Sequence, residues 1–152
     1  MLSVGHASDL AAHSGRLLGH SDWRLITRAD IDDFARISGD DQWIHVDPAR
    51  AARELPGGRT IAHGLFLLSL IPALQRQIYT VRLRGRGLNY GYDRVRFIEP
   101  VPVGSRVRLC LTLVAAAAHA LGTRIETDVA IECEGLDRPA VSARNIVLIM
   151  NP

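Results

Sequence analysis

The densest cluster of residues able to do acid and base chemistry is Gly39-Asp40-Asp41-Gln42-Trp43-Ile44-His45-Val46-Asp47. A carboxylate and an imidazole meeting at one water form an acid and base pair, since one takes a proton while the other orients or returns one. Asp40 and His45 stand five apart. At roughly 100° per residue that puts them about 140° apart around a helix, where they cannot converge. They meet only in a loop, and Gly39 supplies the break that makes one. The same letters also fit a plainer reading, in which the Asp caps a turn and the His bonds to backbone.

A second cluster, Thr60-Ile61-Ala62-His63-Gly64, heads a long apolar run. Glycine inside a helix costs about 1 kcal/mol relative to alanine, so Gly64 needs a reason. At a first helical turn its free N–H, reinforced by the helix dipole, can donate to an oxygen that becomes negative during reaction, as an acyl thioester carbonyl does when an enolate forms. The plainer alternative is that Gly64 lets another backbone pass close by, with His63 a structural hydrogen-bonder. Zinc suits the residue types of His45, Asp47 and His63, but the helical HExxH spacing is missing, so no metal is expected. Neither Ser38 nor Ser69 sits in a Gly-x-Ser-x-Gly elbow, and Gly85-Arg86-Gly87 lacks the strand and helix that a phosphate loop requires.

The elements that must position these residues are legible in outline. Thr27 is an N-cap for a helix carrying Ile31, Phe34, Ala35 and Ile37, with Asp30, Asp32 and Asp33 in its early turns and Gly39 at its end. Asp47-Pro48 starts a short helix that runs through Glu54, closed by Pro56-Gly57-Gly58. Thr60 to Ile78 is apolar on nearly all faces, as expected for one central helix buried all round. Trp23 to Ile26 suits a short strand. Beyond Gly85 the period becomes two: Val107, Leu109, Leu111 and Leu113 share one face, as do Ile125, Thr127, Val129, Ile131 and Cys133, and a last strand spans about Ala140 to Ile149. Helices followed by half-polar strands predict an α+β fold whose antiparallel sheet covers the buried helix. Residues 1–22 lack periodicity and are expected as a leader or an arm on a partner, with residues 23–152 forming a single domain.

Composition narrows the chemistry. With 152 residues, 47% hydrophobic, 22% charged and 5% aromatic, the chain suits one soluble domain with an aliphatic core. All 18 basic residues are arginine, which excludes Schiff-base and phosphate-loop lysine chemistry. Residues 76–108 hold eight arginines against Asp93 and Glu99, a local excess suited to a phosphate-bearing small molecule; a nucleic-acid module carries a larger footprint. The plainer reading of that excess is a solvated strand face. Cys110 and Cys133 lie in alternating runs and predict no disulfide framework, which points to a reduced, cytoplasmic setting. No secretory signal or membrane span is expected.

The order of motifs, Gly39-Asp40 closing a helix, His45, Asp47-Pro48, then Ala62-His63-Gly64 heading an apolar helix, resembles the MaoC-like, (R)-specific enoyl-CoA hydratase family. Gly39-Asp40-Asp41-Gln42-Trp43-Ile44-His45 is similar to its NodN-like branch, as are Asn89-Tyr90-Gly91 and Val95-Arg96-Phe97 followed by Pro100, Pro102 and Gly104-Ser105. The resemblance spans about residues 24 to 150. It implies a hot-dog fold, a homodimer with acyl-thioester sites near the subunit interface, and a place in fatty acid metabolism without a cofactor. It further implies that Asp40 and His45 share a catalytic water and that the Gly64 N–H binds the thioester oxygen, with Gln42, Trp43 and His63 on the substrate side. The implied reaction adds water to a trans-2-enoyl thioester, on coenzyme A or a carrier protein, to give the (R)-3-hydroxyacyl thioester. A hot-dog thioesterase and a non-catalytic acyl-binding subunit are the alternatives. The commoner family pattern has Asn-Pro where this chain has Gln42-Trp43, which implies a differently shaped loop before His45. Arg84, Arg86 or Arg94 are the candidates to meet coenzyme A phosphates.

Overall fold

The computed structural model describes residues Met1–Pro152. Thr27 caps helix α1 (Arg28–Ser38) through a reciprocal box: its hydroxyl accepts the Asp30 N–H, and the Asp30 carboxylate accepts the Thr27 N–H. Gly39 ends the helix at a φ of 77°, a left-handed conformation that favours glycine. A single helical turn, α2 (Trp43–Val46), follows, then α3 (Pro48–Glu54), whose N-cap Asp47 accepts the Arg50 N–H at 2.9 Å.

The apolar run after Gly64 forms two short helices on one course, α4 (Gly64–Ser69) and α5 (Ile71–Gln75), where one long helix is expected. Proline is the cause. Pro72 has no N–H to give to the Leu68 carbonyl, so the ladder breaks, while Leu70 keeps helical dihedrals and holds the direction. Nor is the run buried all round. Phe66, Leu67, Leu70, Ile71 and Leu74 face the core, but Leu65, Ser69, Pro72 and Arg76 are exposed and leave one side uncovered.

The strands are β1 (Leu2–Val4), β2 (Leu17–His20), β3 (Arg24–Leu25), β4 (Tyr79–Val81), β5 (Gly87–Phe97), β6 (Arg106–His119), β7 (Gly122–Cys133) and β8 (Val141–Met150). The main sheet is antiparallel in the order β2, β6, β7, β8, β5, with β3 also on β6. Every residue of the two alternating sets on β6 and β7 is buried, and that face packs on Phe66, Leu67, Leu70, Ile71 and Leu74 in one core. This is the hot-dog arrangement, a sheet wrapped on a central helical rod. Cys110 and Cys133 are both free and lie on opposite faces of the sheet.

Residues 1–22 depart from the expectation of a leader or arm. β1 pairs in parallel with β4, a 3-10 helix (Ala7–His13) sets Leu10 fully into the core, and β2 forms one edge of the main sheet. These elements are too short for a period to emerge from the sequence. Within the 3-10 helix the buried residues Ala7 and Leu10 stand three apart, one turn of that helix. No helix is long and apolar enough to cross a membrane.

Candidate active site

His45 and Asp40 reach the same point by different means. Asp40 follows the left-handed break at Gly39 and is exposed, its N–H bonded to Ser38 Oγ. His45 sits on the α2 turn, not in the open loop that the spacing suggests, and is buried. Its Nδ1 lies 2.7 Å from the Ile61 carbonyl, to which only an N–H can bond, so the lone pair of the neutral ring is at Nε2. The backbone is stitched to match: Ile61 donates its N–H to the Ile44 carbonyl, and Ala62 donates to Val101.

His63 ties the two together from behind. Its Nε2–H donates to the backbone carbonyl of Asp40 at 2.9 Å, and its ring stacks on His45 with centroids 3.8 Å apart and planes 25° from parallel. Phe34 packs against the other side at 5.0 Å. At 2% exposure His63 has no access to a substrate, and its Nδ1 is buried without a partner. Gln42 is exposed at the start of α2, and Trp43 lies under the Arg50 guanidinium at 4.1 Å. None of these three lines the hollow beside His45.

Burial pulls the His45 imidazole below its ordinary value of 6.5; the bond to Ile61 opposes this, the neighbouring His63 adds to it, and the Asp40 carboxylate opposes it. The ring is therefore neutral at pH 7 with a free lone pair. Asp40, His45 and His63 offer ligand atoms within 4.8 Å of one another. Because the two rings stack with planes 25° from parallel, their lone pairs lie in nearly parallel planes, whereas a tetrahedral zinc needs its ligands to converge. Asp47 is used in capping α3. The separation of Asp40 and His45 is one that a single water bridges, which suits proton transfer.

Gly64 is the first residue of α4, and no hydrogen bond within the chain takes its N–H. It faces an apolar hollow of about 290 Å³, whose lining includes His45, Leu67, Phe97, Ile98 and Val101. A Cβ at Gly64 would stand 2.6 Å from the Phe97 ring, so it is close packing that calls for glycine here. The sequence reading missed Phe97 here: its alternation with Val95 marks a strand face, and nothing in the spacing links it to Gly64. The Ile61 carbonyl was equally hidden, because a backbone acceptor carries no residue signature.

A family model described as MaoC like domain matches residues 9–132. The chain is 48% identical over 148 residues to 3-hydroxyacyl-thioester dehydratase Z of Mycobacterium tuberculosis, covering 97% of each chain. It is 42% identical over 144 residues to Nodulation protein N of Rhizobium leguminosarum bv. viciae, covering 93% of this chain and 89% of that one. Among solved structures, the (R)-hydratase from A. caviae involved in PHA biosynthesis superposes with a TM-score of 0.70 at 26% identity, covering 91% of this chain and 96% of that one.

Proposed function

The chain belongs to the MaoC-like dehydratase family, and on that footing we propose that it is a hydro-lyase adding water reversibly to a trans-2-enoyl thioester to give the (R)-3-hydroxyacyl thioester. The observation that carries this reading is a neutral His45, its lone pair at Nε2, whose ring nitrogen and the Asp40 carboxylate offer atoms within 4.8 Å of each other, beside the unclaimed Gly64 N–H. The water is held between Asp40 and His45. Its oxygen bonds to C3 as the pair takes its proton, the electron pair of the C2=C3 bond moves toward the thioester carbonyl, and a proton returns to C2. The Gly64 N–H and the positive end of α4 stabilise the oxygen that gains charge. Every atom of the water ends in the product, so no cofactor is consumed.

The working unit in this reading is a homodimer. Its support is β5, an 11-residue edge strand whose backbone is paired on one side only and which exposes Leu88, Tyr90 and Phe97. A soluble, cytoplasmic setting accords with two free cysteines.

Crotonyl-CoA tests the reaction. The enoyl chromophore is expected to disappear with no release of thiol, and the product to be the (R) isomer; release of coenzyme A instead makes the protein a thioesterase. Asp40→Asn and His45→Ala are each expected to lower kcat by about 10²–10⁴-fold, the range for a positioned acid or base, with little change in Tm. Near wild-type turnover in both variants removes the assigned pair.

A further inference from the structure

The uncovered side of the central rod is a groove with two chemically different ends. Gly64 and Leu67 meet Phe97 and Ile98 at one end, while Pro72, Gln75 and Arg76 meet Gly87, Leu88 and Asn89 at the other. The rod and β5 therefore run side by side in opposite directions. Between the ends the rod exposes Leu65, Ser69 and Pro72, spaced so as to share one face. Twelve residues separate Gly64 from Arg76, which at 1.5 Å per residue is roughly 18 Å.

The far end is built for an anion. Two adjoining hollows of about 220 and 250 Å³ share Gln75, Arg76 and Arg84, and no acidic residue lines either. Most arginines on the main sheet are paired with a carboxylate: Arg94 and Arg144 with Asp128, Arg106 with Glu134, Arg108 with Glu132 and Arg124 with Glu126; Arg96 on β5 is not, and bonds only the Val95 carbonyl. Arg76 and Arg84 enter no ion pair and donate no side-chain hydrogen bond. Gly87 leaves room for the Arg84 guanidinium, whose Nη2 stands 3.4 Å from where a side chain would begin. Burial pushes the Tyr79 phenol up to about 12, against the pull of its Gln75 bond and of Arg84, so it supplies no competing charge. Gln75 Oε1 is buried without a partner, an acceptor in want of an N–H or O–H.

Resting on the enoyl-thioester reading, we infer that Arg76 and Arg84 form the subsite that binds a phosphate of the substrate's carrier. The pantetheine arm lies along the exposed face of the rod from Gly64 to the two guanidiniums. Two forked guanidiniums and an unpaired acceptor match an arm that carries phosphate oxygens together with amide and hydroxyl donors. The subsite selects the carrier and leaves the chemistry at His45 untouched. Of the arginines that sequence brings forward for this role, Arg84 is kept, and Arg94 is engaged with Asp128.

Three crotonyl thioesters separate the possibilities: coenzyme A, phosphopantetheine, and N-acetylcysteamine, which has no phosphate. Arg76→Ala and Arg84→Ala are each expected to raise KM for the coenzyme A thioester about tenfold, the size of a lost charge-assisted bond. kcat and the N-acetylcysteamine parameters stay as in the wild type, and Lys at either position restores part of the affinity. A phosphopantetheine thioester that loses affinity in parallel identifies the phosphate of the arm; one that behaves like N-acetylcysteamine identifies the nucleotide phosphates. Equal changes with all three thioesters, or no change with any, overturn the subsite. Should the wild-type protein hydrate none of them, the hydratase reading fails, and calorimetry with coenzyme A on wild type and the double variant still decides the arginines: equal affinities reject them.

Discussion

At the α4 end of the rod, two imidazole rings are stacked and buried, each anchored to a main-chain carbonyl, and a phenyl ring closes over a glycine. At the α5 end, two guanidiniums stand in open hollows with no carboxylate beside them. The first end is held by hydrogen bonds and ring packing and carries no full positive charge at pH 7 on His45; the second combines full charge with open space. Groups that move protons gain from being fixed, because misplacement by a fraction of a bond length costs rate. Groups that hold a phosphate gain from long-range attraction and tolerate several geometries. The difference teaches that one rod can present chemistry and recognition separately, each on the support it needs.

The comparison breaks if the α4 end proves loose. Gly64→Ala forces a methyl group against Phe97 and is expected to destabilise the fold by about 1–3 kcal/mol, the usual cost of overpacking, with loss of turnover. Chemical denaturation measures the first and the crotonyl-CoA assay the second. Adding Phe97→Ala is expected to recover the stability; if Gly64→Ala is silent in both measurements, the end is not closed in the way described.

A smaller effect sharpens the role of His63. His63→Phe keeps a ring against His45 but deletes the N–H given to the Asp40 carbonyl, which is expected to lower kcat about tenfold, the size of one hydrogen bond, with KM unchanged. A purely structural role would lower Tm without this split between kcat and KM. The smallest effect concerns pH. As the folded value of His45 is depressed, the unfolded chain takes up its proton first as the pH falls. The stability tied to the neutral ring is complete above 6.5 and declines from there toward the folded value. Asp40→Asn removes a charge that favours the protonated ring, so the NMR titration of His45 is expected to move lower still. A midpoint that stays put separates Asp40 from the ring electrostatically.

Much of the frame could be read without coordinates, because it rests on local rules. The Thr27 box, the left-handed Gly39, the Asp47-Pro48 start and the buried faces of β6 and β7 each follow from a few neighbouring residues. The break at Leu70 was available in Pro72 but hidden by the unbroken apolar character around it. Along β5 only Val95 and Phe97 alternate, since Gly87 and Gly91 interrupt the earlier part, and its pairing with β8 spans some fifty residues that no local pattern can bridge. The same holds for residues 1–22, whose strands are ordered by partners far away in sequence.

The sequence by itself determined the residue types of the site, the left-handed break that delivers Asp40, and the alternation that makes one sheet face apolar. These follow from side-chain chemistry, backbone preference and period, which act over a handful of residues. Only the tertiary structure decided that His63 braces both members of the pair, that Phe97 covers Gly64, and that Arg76 and Arg84 are left without counter-ions while Arg94 is not. Each depends on which distant segments the packed sheet brings within a few ångströms, and hydrogen bonds, close contacts and ion pairs are decided at that range.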